Sequence, residues 1–447
     1  MYELLKNIPL IDTHVHRTHP DREPEFGQIA GGYIPGPRQE WHSRQTLLYS
    51  MVMQALREHY GMSPDSSNEE VEAERHRRFR ADPQGYYTDL LKDRNVKMYC
   101  LEIGSPLRNK AFTPEEIAYF NASIPEENRC HIVRIERLVD DLLAQDLSFK
   151  EFIREFDIQI DAQIAAENAV GLKSSVAYYG GLNIKIVSEV EAAQAFDRLR
   201  ADRSDRASEK IFYNFTLFLA VEAAVRNDIP IQIHTGAGGG GFLDFTSFNP
   251  VGMTDFLRDK RVLNRCKIVL LHGGHPHEED TSFLTAQYSN VYTDFSGTFF
   301  LDSLQGINRM RALMERTPMS KLMYGSDGVS FPEVSWFAPE YFRKQFGRVL
   351  NQLIEEGKIT AEEAKLGYIG AFTYAEVISG YTSFFLGARS VCPSATMEVT
   401  FTGSWYDEAL EKEGAAKLIA DNCVVISEHA DSMGAPTACE AANVPFV

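Results

Sequence analysis

Short apolar runs that end in polar or charged residues recur along the first three quarters of the chain. They are Pro9–His16, Val96–Gly104, His131–Glu136, Ala169–Ser174, Ile229–His234, Lys267–His272, Asn290–Asp294 and Lys321–Asp327. Apolar runs of this length read as buried strands. Between most of them, as in Thr216–Arg226 and Phe342–Glu356, apolar residues return every three to four positions, which is the helical period. Eight strands alternating with helices predict an α/β chain folded as a (β/α)8 TIM barrel. The polar residues cluster at the C-terminal ends of the runs, where such barrels carry their chemistry.

Two stretches interrupt this alternation. Residues 39–91 are too long for a strand-to-helix loop and read as helices, Thr46–Tyr60 and Asn68–Ala81. Because they follow the first strand, they predict a lid or wall over the barrel mouth. Gly236–Gly241 follows His234; no Lys-Ser/Thr succeeds it, so a flexible loop near substrate is a better reading than a phosphate cradle. From Gly367 the pattern restarts as strand-like Gly367–Phe372, Met397–Gly403 and Cys423–His429. These alternate with helical Tyr374–Ser390, Asp407–Asp421 and Pro436–Ala442. This predicts a partial Rossmann-like α/β segment that stops at Val447 on the opening of a further strand. The expected division is 1–366 for the barrel and 367–447 for the appended segment.

Composition narrows the function. The 447 residues are 44% hydrophobic and 24% charged, enough for a sizeable core. A net charge of −18 argues against nucleic acid or an anionic membrane as partner and leaves a small molecule as the expected one. It does not call for a cationic substrate, since solvated acidic surfaces are common. The six cysteines (100, 130, 266, 392, 423 and 439) lack CxxC spacing and read as free thiols of a reducing compartment. With no signal peptide at the start and no apolar run of membrane-spanning length, a cytoplasmic location is expected.

The chemistry begins at Asp12-Thr13-His14-Val15-His16. A strand points alternate side chains to one face, so His14 and His16 project together. His234, His272 and Asp327 end later strands, the last within Gly325-Ser326-Asp327-Gly328. A catalytic zinc-like ion needs about three protein ligands and an open water position. His14, His16, His234 and Asp327 supply such donors. Asp327 can also take a proton from water as general base, and His272 can bind a second ion or hydrogen-bond a developing oxyanion. A single strand-end histidine is more often an ordinary core or loop residue; the joint pattern favours a metal site. Lys173, at the end of the fourth strand, reads as a carboxylated bridge between two ions, as an ammonium for a substrate carboxylate, or as an ordinary strand-end lysine. Arg134 and Glu136 read as sharing a face of the third strand, as a substrate clamp or an internal ion pair. Asp294 could orient a ligand histidine. His19, His275 and His277 read as loop residues, His275 being the first exception to consider.

These motifs resemble the amidohydrolase superfamily. More narrowly they resemble the amidohydrolase-2 branch found in nodulin-type proteins and fused to glutamine synthetase-like domains. The matching text is Ile11–His16, Gly171–Ser174 with Ala177-Tyr178, Ile231–Gly236, Val269–His272, and Tyr324–Gly328 before Pro332-Glu333. The resemblance covers residues 1–365. It implies a metal-dependent hydrolase cleaving amide or related C–N bonds of a small polar substrate, although relatives decarboxylate or isomerise sugar acids. It also implies a divalent ion (zinc first, manganese or iron as alternatives), one or two per site, held by His14, His16, His234 and Asp327 with Lys173. Tyr178 and Glu333 are then expected to line the substrate site with Arg134 and Glu136, and the barrel is expected to pair as a homodimer.

The tail resembles the basic membrane protein family of substrate-binding lipoproteins, which bind nucleosides between two lobes. Gly367–Phe372, Tyr374–Val377, Phe384–Gly387, Thr402–Asp407 and His429–Ser432 carry that likeness. Only about eighty residues are covered and the second lobe is missing, so the chain reads as a fusion with an incomplete appendage. The barrel pattern also departs near its end, where Glu363-Ala364-Lys365 runs into the tail's first strand instead of an Asn-Ala-x-x-Leu-Tyr-like helix. Nucleoside binding through the tail is the alternative of a different class.

Overall fold

The computed structural model describes residues 2–18, 26, 38–103, 113–238, 243–297, 304–359, 365–392 and 395–447. Two compact units form, Pro9–Phe342 and Met1–Ile8 with Arg343–Val447.

The first unit is built on β1 (Leu10–Thr18), β2 (Val96–Glu102), β3 (Arg129–Arg134), β4 (Ala169–Ser174), β5 (Ile231–His234), β6 (Ile268–Leu271) and β7 (Val291–Asp294). The eighth position is split into β8 (Leu322–Met323) and β9 (Gly328–Ser330). The order is β8-β7-β6-β5-β4-β3-β2-β1-β9, and β7–β8 and β1–β9 pair in parallel like the rest. The two halves of the last strand thus close the ring. Thr13 N donates to Tyr324 O at 3.0 Å and Asp327 N to His14 O at 2.9 Å, bridging the split.

Outside the ring, Leu172, Ile231, Ile233, Ile268 and Leu270 are fully buried with Phe152, Phe156, Phe212 and Val221 of the surrounding helices. Helix Phe149–Glu167 shows why: Phe152, Phe156, Ile160 and Ile164 recur every fourth residue and are all buried. A capping box of Ser148 and Glu151 starts it.

The third strand differs from its expected bounds. It ends at Arg134, and Glu136 lies in the first turn of helix Ile135–Leu143. Ile135, Leu138, Val139 and Leu142 are buried at helical spacing, which overrides the strand reading, so Arg134 and Glu136 share no strand face. The eighth strand also breaks earlier than its apolar run, with Asp327 at φ 53°.

The insertion after β1 folds as helices Gln39–Ser43, Leu47–His59, Asn68–Ala81 and Pro83–Lys92. Its anchor is Arg75, fully buried, whose Nε donates to Glu333 Oε1 at 2.5 Å. Tyr86 OH donates to the same oxygen at 2.8 Å, and the guanidinium lies 4.4 Å from the Phe26 ring centroid and 4.6 Å from that of Phe79.

In the second unit, β10 (Lys365–Gly370), β11 (Thr396–Phe401) and β12 (Val425–His429) form a parallel sheet in the order β11-β10-β12. Helices Ala375–Val391 and Glu408–Ala420 connect the strands. Ile369, Leu418, Ile426, Ala435 and Cys439 make its core. Arg343, buried, donates to Leu5 O and Ile8 O, both at 2.8 Å, tying the start of the chain to this unit. Among the described residues no helix is long and apolar enough to cross a membrane.

Glu333→Ala strands Arg75 as a buried cation without its counter-charge. We expect a loss of about 3–5 kcal/mol in chemical denaturation. A loss under about 1 kcal/mol, typical of exposed pairs, would contradict the anchoring role.

Candidate metal centre

On β1 the inward residues are Asp12, His14 and His16, at 0%, 0% and 7% exposure. Closure of the ring sets Asp327 opposite them. His14 Nε2 lies 3.4 Å and His16 Nε2 3.2 Å from Asp327 Oδ1. The three ligand atoms fall within 4.8 Å of one another, and no other such group of three or more exists among the described residues.

The residues behind the two histidines decide which way their lone pairs point. Gln232 Nε2 donates to Thr13 O at 2.7 Å, which turns Oε1 toward His14 Nδ1 at 2.9 Å. His14 must therefore donate from Nδ1. His16 Nδ1 faces Glu102 Oε2 at 2.8 Å, an acceptor only, so it donates as well. With both Nδ1 atoms protonated, the Nε2 atoms of neutral rings present lone pairs toward a carboxylate oxygen. That convergence is repulsive unless a positive charge sits among them, so the donor set fits a divalent ion.

The surrounding charges agree. Burial, then the Lys173 ammonium, hold His14 well below the usual histidine value. Burial alone would also lower His16, but Asp327 and Glu102 outweigh it and raise it. Burial disfavours the Asp327 anion, yet His272, His14 and His16 keep it well below the carboxylate range. Glu102, opposed by burial, is held at about 2 by Arg134, 3.1 Å away, and by His16.

His272 begins at φ 67°, just past β6, with its backbone N–H donated to Asp294 Oδ1 at 2.8 Å. Its Nδ1 lies 3.1 Å from Ser296 O and therefore donates; its Nε2, 2.9 Å from His234 Nδ1, accepts. Burial lowers His272 to about 4, which keeps it neutral. Gly297 passes so close that a Cβ there would lie 3.0 Å from His272 Nδ1. By this chain of bonds His234 Nε2 is a buried lone pair, and among the described residues it has no hydrogen-bond partner.

The structure gathers His14, His16 and Asp327, with Lys173 Nζ 3.4 Å from His14 Nε2 and His272 Nδ1 3.9 Å from Asp327 Oδ2. Burial and Arg134 bring Lys173 down to about 8. His234 stands outside the trio, because its Nδ1 is turned to His272. Tyr178 packs on His234, ring centroids 4.7 Å apart. Arg134 pairs with Glu102, and Glu136 Oε1 accepts from Ser174 Oγ and Ser175 N at 2.7 and 2.8 Å. Glu333 corrects its expectation as a substrate ligand: at 2% exposure its carboxylate is committed to Arg75 and Tyr86. Of the other histidines considered, His275 bonds Glu278 at 2.8 Å, His277 faces Asn249 at 3.1 Å, and His19 lies outside the described residues. Gln232 and Glu102 escaped the sequence reading, although each is inward by strand alternation, Gln232 two residues before His234.

Residues 11–363 match the family described as amidohydrolase. The chain belongs to the amidohydrolase family. Downstream of this amidohydrolase barrel, residues 357–444 match the family described as ABC transporter substrate-binding protein PnrA-like. Protein fluG of Emericella nidulans is 28% identical over 264 residues, 52% of this chain and 30% of that protein. A purine-binding protein of Brucella abortus is 39% identical over 83 residues, 18% of this chain and 24% of its own length. The chain thus spans less than a third of the length of these curated relatives. Among solved structures, a metal-dependent hydrolase-like protein from Lactobacillus casei aligns with TM-score 0.66 at 20% identity, over 88% of this chain and 94% of that one. Uronate isomerase from Thermotoga maritima aligns with TM-score 0.57 at 15% identity, over 80% and 91%. These structures share the fold of the amidohydrolase barrel.

Gln232→Met keeps the volume but removes the acceptor for His14 Nδ1–H. Zinc affinity, measured by competition with a chelator of known affinity, is expected to fall about 10–100-fold. Unchanged affinity would mean that Gln232 does not orient a ligand.

Proposed function

We propose that this chain is a metal-dependent hydrolase that activates water to cleave an amide or related C–N bond of a small polar substrate. The observation that carries the reading is the convergence of His14 and His16 Nε2 on Asp327 Oδ1 at 3.4 and 3.2 Å. His14, His16 and Asp327 would hold a divalent ion, zinc before manganese or iron, with the lone pair of His234 and the amine of Lys173 available for further contacts. Bound there, such an ion supplies Lewis acidity that brings the pKa of water near 7.

The protein's own groups carry the rest. Asp327, kept anionic by its histidines, accepts the proton of the attacking water and returns it to the leaving nitrogen. His234 and His272, neutral and hydrogen-bonded to each other, hold a fixed polar wall beside Asp327. Glu102 and Gln232 hold the two β1 histidines in the tautomer that faces the reaction. We extend the proposal to a catalytic barrel over residues 1–366, a cytoplasmic setting and a homodimer.

A sugar-acid isomerase or decarboxylase on the same residues is the second reading, favoured by the shared fold of the uronate isomerases. The test is metal analysis of the purified full chain, followed by a substrate panel scored for ammonia or amine, carbon dioxide, and isomerised sugar acid. We expect bound zinc, manganese or iron, release of amine, and a fall in kcat of at least about 100-fold in Asp327→Asn. Absence of all three metals, with no activity regained on adding them, would sink both metal-dependent readings. Isomerised product or carbon dioxide without amine would replace the first by the second.

A further inference from the structure

Below the Glu102–Arg134 pair, the barrel holds two cysteines that the proposed reaction does not use. Cys100 on β2 and Cys130 on β3 are direct partners in the parallel register, one step below Leu101 and His131. Their Sγ atoms lie 3.2 Å apart. Neighbouring strands run about 4.8 Å apart, inside the roughly 4.4–6.8 Å between Cα atoms that a disulfide spans. The two sulfurs need move together by only about 1 Å to reach bonding distance. All six cysteines are free thiols, and here Cys100 is buried while Cys130 is partly exposed.

We propose that Cys100 and Cys130 are an oxidation site that closes reversibly to a disulfide between β2 and β3. With hydrogen peroxide as oxidant, the Cys130 thiolate attacks one peroxide oxygen. The O–O bond breaks and leaves a sulfenic acid, while the departing hydroxide takes a proton to become water. The Cys100 sulfur then attacks the Cys130 sulfur, the S–O bond breaks, and a second water leaves with the thiol proton. Two thiols lose two electrons and one peroxide gains them. The roles follow from access: Cys130 meets the oxidant and Cys100 is the resolving thiol below it. Hydrogen bonding with Cys100 holds the Cys130 thiol below its ordinary value, and the same contact with burial pushes Cys100 up.

The link would lie on the strand face that carries the support of His16. Glu102 follows Cys100 by two residues and Arg134 follows Cys130 by four, and even spacing keeps each pair on one face. The site needs no metal, so it stands or falls apart from the proposed reaction.

The test treats the reduced, native full chain with hydrogen peroxide, blocks remaining thiols with N-ethylmaleimide and maps tryptic peptides. Cleavage after Lys97 and after Arg129 separates Met98–Arg108 from Cys130–Arg134, so the link is seen directly. We expect these peptides joined with the loss of two hydrogens, in at least about tenfold excess over any other cysteine pair, and separated again by dithiothreitol. In Cys100→Ser, Cys130 should instead accumulate sulfinic acid, reporting the loss of its resolving partner. The wild-type map needs no variant to fold. Oxidation of Cys130 without the link, or a link that forms only in denaturant, would overturn the proposal.

Discussion

The parallel closure of β1 on the last strand is the constraint from which the centre follows. Thr13 N–H to Tyr324 O and Asp327 N–H to His14 O are two backbone bonds, yet they fix the distance between residues more than three hundred positions apart. The strand between them is broken, and the left-handed turn at Asp327 (φ 53°) aims its carboxylate inward at the height of the histidine pair. A regular eighth strand would alternate instead and send side chains to both faces. The break exchanges regularity for a carboxylate between two imidazoles.

Such a centre stores electrostatic cost. Buried Glu102, buried Lys173 and four buried histidines share one end of the barrel with the partly exposed Asp327. Isolated, each charge would be neutralised rather than kept. Here Glu102 accepts from His16 Nδ1 and faces the Arg134 guanidinium, whereas Asp327 meets the Nε2 lone pairs of His14 and His16, the convergence that calls for a positive charge. Beneath them Asp12 and Asp294, each with one oxygen lacking a hydrogen-bond partner among the described residues, are raised by burial to about 7. These aspartates act as acceptors for backbone N–H groups of Ser326 and His272, steadying the turns that carry the working side chains.

Two further features depend on local rather than central forces. The helical insertion is tied down by Arg75 and Glu333, a pair whose burial makes it costly to break. The C-terminal sheet has its own core around Ile369, Leu418 and Ile426. Its β11-β10-β12 order is half of a doubly wound pattern, in keeping with the partial Rossmann-like segment expected from its text.

The strand periodicity by itself determined the barrel, its eight strand positions and the pairing of His14 with His16 on one face, because alternation is a local property of the backbone. Helix Asn68–Ala81 and β4 were legible to the residue for the same reason: caps and apolar period lie within the segment. Glu136 was misread because one inward residue past a strand end looks the same whether strand or helix follows. Glu333 was misread because its partner, Arg75, is 258 positions away. The tautomers set by Gln232 and Glu102, the turning of His234 toward His272, and the contact of Cys100 with Cys130 were decided only in three dimensions. Each joins different strands, and register between strands is a tertiary outcome that no local pattern encodes.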